Sequence, residues 1–250
     1  MEKVSQKDID WLLNLGEELK APKPVQEQTV RKETVKRLSF KRKLFKLIFS
    51  LLLILVMGIV PFFLLIRTAV FLNVAEAWNG WAALLGGIAA SSLFLGLYVF
   101  FLFRKVKNKK LLAQFGFGGV AALVGGFCIY GLMYLSSVNA KSDDVREVYR
   151  SLHPILRVAV ATTTLAENDL VITDIKRTPE DYISWGLTPH QSSLHYQQEN
   201  GFVHAIDLRT IGHSEFRNKV LERSLSTMGF QVIRHVGTAD HLHVALPLSE

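Results

Sequence analysis

Three long runs of uncharged, mostly apolar residues dominate the first half of the chain. They cover residues 47–66, 77–103 and 111–135. A helix of about 20 residues, rising about 1.5 Å per residue, crosses the roughly 30 Å hydrocarbon core of a bilayer. The pattern therefore predicts three transmembrane helices. The first run is not a cleavable signal peptide, because it lies too far into the chain and is too long.

Small residues recur in the second and third runs at a spacing that lets helix backbones approach closely. They are Gly86, Gly87, Ala90 and Ser91 in the second run, and Gly118, Gly119, Ala122, Gly125 and Gly126 in the third. We expect these two helices to pack together through them. Trp78 and Trp81 open the second run and are typical of anchors at a membrane interface.

Two polar segments precede the first run. Residues 5–20 begin with a capping pair, Ser5 and Asp8, and carry apolar side chains at helical spacing, which predicts a short amphipathic helix. A docking or membrane-surface helix and a weakly structured tail are both compatible with it. Residues 21–33 contain two prolines and several glutamines, and this composition indicates a linker.

The last part of the chain changes to short predicted helices and strands, which indicates a small α+β domain. The pattern predicts a helix from Ser142 that Pro154 kinks or splits, a second helix over residues 214–228, and strands over residues 170–175, 202–209, 230–236 and 241–246. We therefore divide the chain into a cytoplasmic tail (residues 1–45), three transmembrane helices (46–136) and a C-terminal domain (137–250).

Basic residues flank the apolar runs unevenly. Residues 1–46 carry 12 basic and 7 acidic residues, and residues 104–110 carry five basic ones, whereas residues 67–76 carry a single arginine. Cytoplasmic loops of membrane proteins are enriched in lysine and arginine. We expect a multi-pass protein of the cytoplasmic membrane with a cytoplasmic N-terminus and a C-terminal domain that is periplasmic or extracellular.

The net charge of +7 does not indicate a nucleic-acid-binding protein. Residues 137–250 carry 11 basic and 14 acidic residues, and a mildly acidic domain lacks the basic patch that phosphate backbones require. Membrane lipid, and not nucleic acid, is the partner expected of the first half. The single cysteine, Cys128, excludes an intrachain disulfide.

All eight histidines follow the third apolar run, so any imidazole chemistry belongs to the C-terminal domain. His241 and His243 are two residues apart in an apolar strand, and their imidazoles therefore project from the same face. One upstream histidine and one aspartate would complete a set of the ligand types that catalytic zinc uses.

Strand alternation narrows the choice of upstream ligands. Within residues 202–209, Asp207 and His204 project from opposite faces and cannot easily meet at one metal. This favours His195, in the loop before that strand, as the imidazole partner of Asp207, with His243 as the third ligand.

Three short segments occur in the order of a known motif: Ser193-Leu194-His195, Ala205-Ile206-Asp207 and Asp240-His241-Leu242-His243. At these positions the chain resembles the LAS-type zinc metallopeptidases, particularly the D-alanyl-D-alanine carboxypeptidases and related peptidoglycan peptidases with a hedgehog-like α+β fold. The resemblance covers roughly residues 140–248. It implies that His195, Asp207 and His243 bind Zn²⁺.

The resemblance also implies an activity: a membrane-anchored hydrolase that cuts peptidoglycan stem peptides in the cell wall, as a D,D-carboxypeptidase or an endopeptidase. It implies that Arg177 stabilises the anionic transition state or holds a substrate carboxylate. Two residues compete for the role of catalytic base. Asp240 aligns with the family's glutamate, and His241 shares a strand face with His243; we favour His241.

The chain departs from the family pattern in three places, one of which is Val203 in the position of the family's glycine. His195 and Asp207 are twelve positions apart where the family has seven, which places an insertion around residues 197–201, and Asp240 is one methylene shorter than glutamate. The alternative is therefore a catalytically inactive LAS-like domain that binds cell-wall peptides as a sensor or scaffold. A structural membrane protein whose histidines share no role is a further alternative.

Overall fold

The computed structural model describes residues 6–7, 9–11, 14, 26–186, 188–237 and 239–248. The chain forms two compact units, Met1–Leu55 and Val56–Glu250. The described residues before 26 are helical, whereas the predicted capping pair, Ser5 and Asp8, lies outside the described residues. The linker prediction is wrong for residues 26–33, which begin helix α1 (Gln26–Val74), because glutamine, glutamate, lysine and arginine favour helix once the prolines have been passed.

Helices α1, α2 (Gly80–Leu102) and α3 (Lys109–Met133) are long and apolar enough to cross a membrane, which confirms the three predicted apolar helices. Each of the last two begins at an asparagine. The side chain of Asn79 accepts a hydrogen bond from the backbone amide of Ala82. In the same way, the side chain of Asn108 accepts one from the amide of Leu111 at the start of α3. Such N-caps favour the start of the two helices at Gly80 and Lys109.

Glycines bring α2 close to its neighbours, although only some of those expected do so. A Cβ atom on Gly87 would lie 2.2 Å from the carbonyl oxygen of Leu65 in α1, and one on Gly96 would lie 2.2 Å from the ring of Phe117 in α3. The third helix also contains glycines with no atom within 4 Å of such a Cβ: Gly118, Gly119, Gly125 and Gly126. Helices α2 and α3 do pack together, but these four glycines do not supply the contact.

The remainder of the second unit is a small helical and sheet region. Its described elements are α4 (Asp143–Glu147), α5 (Pro154–Ala166), β1 (Ile172–Asp174), α6 (Pro179–Ser184), β2 (Ala205–Arg209), α7 (Glu215–Met228), β3 (Gln231–His235) and β4 (His241–Ala245). The helix predicted from Ser142 is split as expected, because Pro154 lacks an amide hydrogen and starts a new helix at its first turn. Helix α7 ends where Gly229 adopts φ 105°, a left-handed conformation that suits glycine.

The four strands form one antiparallel sheet in the order β1-β2-β4-β3. Alternation along β2 and β4 gives the sheet two different faces. Ile206, Leu208 and Val244 pack against α5 and α7 in the hydrophobic core. Asp207 and His243 project from the other face, so the helices cover one side of the sheet and the candidate site lies on the other.

Helix α5 packs directly on the end of α3. A Cβ atom on Gly131 would lie 2.7 Å from the Cβ of Ala161. The buried guanidinium of Arg157 donates to the carbonyl of Leu132 and lies over the ring of Trp81. The sheet region and the long apolar helices therefore share packing, and experiments on the site require the full-length chain.

Candidate metal centre

Two neighbouring strands carry two of the candidate ligands. In the antiparallel pairing of β2 with β4, Asp207 lies directly opposite His243, and Arg209 lies opposite His241. Side chains directly opposite one another on one face have Cβ atoms about 5 Å apart. The register therefore places the Asp207 carboxylate and the His243 imidazole side by side.

The third candidate, His195, lies in the loop before β2. Its carbonyl accepts a hydrogen bond from the backbone amide of Arg177, which fixes the loop against the end of β1. Residues 197–201 form a tight turn in which the Gly201 amide donates to the carbonyl of Gln198, with Gly201 at φ 82°. Because this turn folds back on itself, His195 reaches Asp207 although twelve positions separate them.

The three ligand atoms form a nearly equilateral triangle. Nε2 of His195 lies 3.2 Å from Nδ1 of His243 and 3.3 Å from Oδ1 of Asp207, and Nδ1 of His243 lies 3.0 Å from Oδ1 of Asp207. Two ligand atoms of a tetrahedral zinc, each about 2.05 Å from the metal, are about 3.3 Å apart. The three residues form a possible metal-binding cluster with the spacing of one face of a tetrahedron.

The hydrogen bonds around His195 determine which of its nitrogens faces the cluster. Its Nδ1 donates to the carbonyl of Ile175 at 2.7 Å, because a carbonyl can only accept. Nε2 of the neutral ring then points a lone pair at the Asp207 carboxylate, which also only accepts. A cation between these acceptors satisfies both, so the donor set fits a divalent metal. The bond to Ile175 is the kind of outer contact that orients a metal-binding histidine.

Asp207 is ionised despite its burial. Burial alone raises the pKa of this carboxyl, but its contacts with the imidazoles of His195 and His243 and the charge of Arg177 outweigh burial and hold the pKa well below its usual range. A carboxylate must be deprotonated to bind a metal. Asp207 is therefore in its metal-binding form.

Arg177 lies behind Asp207 and holds it in place. Its guanidinium contacts Oδ2 of Asp207, donates to Asp174 at 2.6 Å and donates to the hydroxyl of Tyr182 at 3.3 Å. This contact occupies one carboxylate oxygen and leaves the other for the cluster. Arg177 thus orients a candidate ligand, while the expected contact of Arg177 with substrate stays a prediction.

The substitution Arg177→Lys tests this orienting role. Lysine keeps the charge but cannot contact Asp174, Asp207 and Tyr182 at once, because it lacks the planar fork of arginine. We expect zinc affinity to fall about 10- to 100-fold, the range typical for loss of an outer partner of a metal ligand. Competition with a chelating dye measures the affinity.

Arg217→Lys is the matched control for this substitution. Arg217 also bridges two carboxylates, Glu167 and Asp169, but it lies on α7 away from the cluster. Its replacement should leave zinc affinity unchanged. Equal affinities for the two variants would show that Arg177 does not orient Asp207.

His241 lies at the edge of the cluster with a nitrogen free to accept a proton. Its Nδ1 donates to the carbonyl of Ala239 at 2.6 Å, so Nε2 carries the lone pair of the neutral ring. Nε2 lies 3.9 Å from Oδ1 of Asp207. As expected from strand alternation, His241 shares the face of the candidate ligands.

Asp240, the other candidate base, is engaged by neighbouring side chains. Its carboxylate accepts hydrogen bonds from two guanidinium nitrogens of Arg234, at 3.2 and 3.0 Å, and from the hydroxyl of Thr210 at 2.6 Å. Arg234 and Thr210 lower the pKa of Asp240, which makes it a weaker proton acceptor. The geometry favours His241 of the two.

A cleft of about 500 Å³ opens beside the cluster. Asp207, Arg177, His241 and Trp185 are among the residues that line it. This volume lies within the range of small-ligand sites in proteins, and the lining combines charged and aromatic groups.

Three residues that the sequence pattern did not single out for a role in the site also lie there: His235, Tyr182 and Trp185. The ring of His235 stacks on that of His241 with a centroid distance of 4.8 Å, because β3 and β4 pair these two residues. His235 and His241 are equally far from the hairpin turn, and this spacing could have revealed the contact from the sequence. Tyr182 and Trp185 lie against the guanidinium of Arg177.

His204 belongs to a separate, buried pair. Its Nδ1 donates to the carbonyl of Leu246 and its Nε2 accepts from the side chain of Asn200, so both nitrogens are already used. Its ring centroid lies 4.7 Å from that of His153. Burial, followed by the charges of His204 and Arg157, lowers the pKa of His153 to about 3. These two histidines are buried away from the cluster, and strand alternation predicts that His204 is turned away from the candidate ligands.

Comparisons with known proteins were made for the whole chain. No protein-family model, curated protein or solved structure matched it. The assignment of His195, Asp207 and His243 as a possible metal centre therefore rests on their spacing, hydrogen bonds and charge.

Proposed function

We propose that the protein is a membrane-anchored, zinc-dependent peptidase that acts on peptidoglycan stem peptides. The observation that carries the proposal is the triangle of His195 Nε2, Asp207 Oδ1 and His243 Nδ1, with edges of 3.0 to 3.3 Å. Two histidines and one carboxylate with an open fourth position are the ligand types of catalytic zinc in hydrolases. The order of the three residues in the chain supports a domain of the hedgehog and D,D-peptidase type.

Zinc at this position would supply Lewis-acid chemistry, which acidifies a neighbouring water molecule and polarises a carbonyl group. The chain contributes the remaining functions. His241 accepts a proton at Nε2, because its Nδ1 is committed to Ala239. Arg177 holds the Asp207 carboxylate in one orientation, and its aromatic neighbours Tyr182 and Trp185 shape the cleft wall.

Charge distribution supports the choice of substrate. Both basic clusters flank the same side of the three apolar helices, which supports a C-terminal domain in the periplasm or the exterior. Peptidoglycan peptides lie on that side of the cytoplasmic membrane. A polar cleft of about 500 Å³ with an arginine in its wall suits a short peptide that carries a carboxylate.

A second candidate function is peptide binding without cleavage. The observation that favours it is the ion pair of Asp240 with Arg234, because Asp240 stands where the resembling family has a catalytic glutamate. In that case the domain would retain zinc and act as a sensor or scaffold for cell-wall peptides. His241 would then have no role in proton transfer.

Purified full-length protein incubated with muropeptides, with products measured by mass spectrometry, tests the proposal. We expect loss of a terminal D-alanine or cleavage of a cross-link, abolished by a chelator and restored by added zinc. Zinc content of the same sample is measured in parallel. Bound zinc without cleavage would support the binding function, and a protein that binds no zinc would refute both candidates.

A further inference from the structure

An apolar edge of the sheet region lies beside the first membrane helix. The side chains of Leu165 on α5 and of Phe216 and Val220 on α7 are 64%, 78% and 46% exposed. A groove of about 400 Å³ separates Leu165 and Val220 from Ile59 and Phe62 of α1. Apolar side chains of this size gain free energy when they leave water.

The groove lies at a depth that a bilayer reaches. The uncharged run in α1 ends at Ile66. At 1.5 Å per residue, Phe62 and Ile59 lie about 6 and 10 Å before that end. Helices at a membrane surface bury their apolar face about 5–10 Å into the boundary between headgroups and acyl chains. The edges of α5 and α7 therefore face α1 at the level of the outermost hydrocarbon.

Three of the four polar side chains that line this groove, those of Thr162, Thr163 and Glu167, have partners within the protein, and the fourth is Ser224. The hydroxyls of Thr162 and Thr163 donate to carbonyls one turn earlier in α5, those of Val158 and Ala159. The carboxylate of Glu167 accepts hydrogen bonds from Arg217. Polar groups satisfied inside the protein can face hydrocarbon without the cost of losing water.

Basic side chains lie next to the apolar edge. Lys219 and Arg223 are exposed on α7, within one turn of Val220, and Lys219 also lies 3.8 Å from the carboxylate of Glu215. Long basic side chains at a membrane surface keep their charged ends in the headgroup layer while their stems cover apolar surface. This arrangement of apolar and basic residues on one helix is typical of contact with lipid.

We propose that the edge formed by Leu165, Phe216 and Val220 is a lipid-binding surface, which we call the lipid edge. Its occupant is the acyl-chain layer of the bilayer that α1 crosses, because the groove continues the lipid-facing surface of that helix. The contact holds the helical layer of the sheet region against the membrane. The opposite sheet face, with Asp207 and His243, is thereby turned away from the lipid.

Spin labels on the full-length protein in vesicles of phosphatidylethanolamine and phosphatidylglycerol test this surface. Leu165→Cys and Val220→Cys each carry a nitroxide, and Ile183→Cys is the control. Ile183 is also 64% exposed but lies on α6, on the cleft side of the sheet. Cys128 is 1% exposed, so the unsubstituted protein serves as the unlabelled blank.

The readout is the frequency of collisions with oxygen, which concentrates in lipid, and with a water-soluble nickel chelate. Labels at 165 and 220 should collide more with oxygen than with nickel, and the label at 183 should show the reverse order. Frequent nickel collisions at 165 and 220 would place the edge in water and overturn the proposal. Few collisions with either reagent would mean that another protein surface covers the edge, which would overturn it as well.

Discussion

Alanine at His195, Asp207 or His243 is expected to remove zinc binding from the full-length protein. Each residue supplies one corner of the ligand triangle, and its loss leaves two ligands for a metal that needs three from the protein. The loss of affinity should exceed the roughly 10- to 100-fold effect typical of an outer partner. Zinc content after purification and competition with a chelating dye measure it.

Two other histidines provide the controls. His204 is 2% exposed but uses both nitrogens elsewhere, and His190 is exposed on the surface. Both alanine variants should retain zinc, and circular dichroism confirms that each variant is folded. Retention of zinc by His195→Ala together with its loss from a folded His204→Ala variant would show that the ligand set is wrong.

Alanine at His241 is expected to slow muropeptide cleavage about 10²- to 10⁴-fold, the usual contribution of a general base, while zinc content stays at the parental level. The reason is positional, because Nε2 lies 3.9 Å from Oδ1 of Asp207 and is free to accept a proton. Turnover is measured by mass spectrometry of the products, with zinc content determined on the same preparation.

Asp240→Asn is the contrasting variant. It removes the charge that pairs with Arg234 but keeps an oxygen for the Thr210 hydroxyl. Turnover should fall far less than in His241→Ala. If Asp240→Asn is the damaging change and His241→Ala cleaves at the parental rate, the base is Asp240.

Local pattern was enough to predict most elements of this protein. The apolar runs correspond to α1, α2 and α3, and the predicted strand pair near the C-terminus corresponds to β3 and β4. These elements are recoverable because hydrophobic periodicity and capping residues act within a few positions. The linker prediction failed over residues 26–33 because both prolines lie before residue 26 and glutamine itself favours helix.

Strand alternation also predicted which candidate ligands share a face of the sheet. Opposite faces for His204 and Asp207 follow from the two-residue period of a strand, and the structure places them so. The role of Asp240 was not accessible in this way. Its ion pair with Arg234 depends on how β3 pairs with β4, and sequence proximity to His241 gave no sign of it.

By itself, the amino-acid sequence determined the three apolar helices, the small α+β region and the residue types available for a metal, because these depend on composition and short-range periodicity. Only the tertiary structure decided which atoms converge. The register of β2 against β4, the turn closed by Gly201 and the carbonyl of Ile175 together bring three ligand atoms within 3.3 Å of one another. Those contacts join residues 12 to 48 positions apart, and such distances close only when the chain packs as a whole.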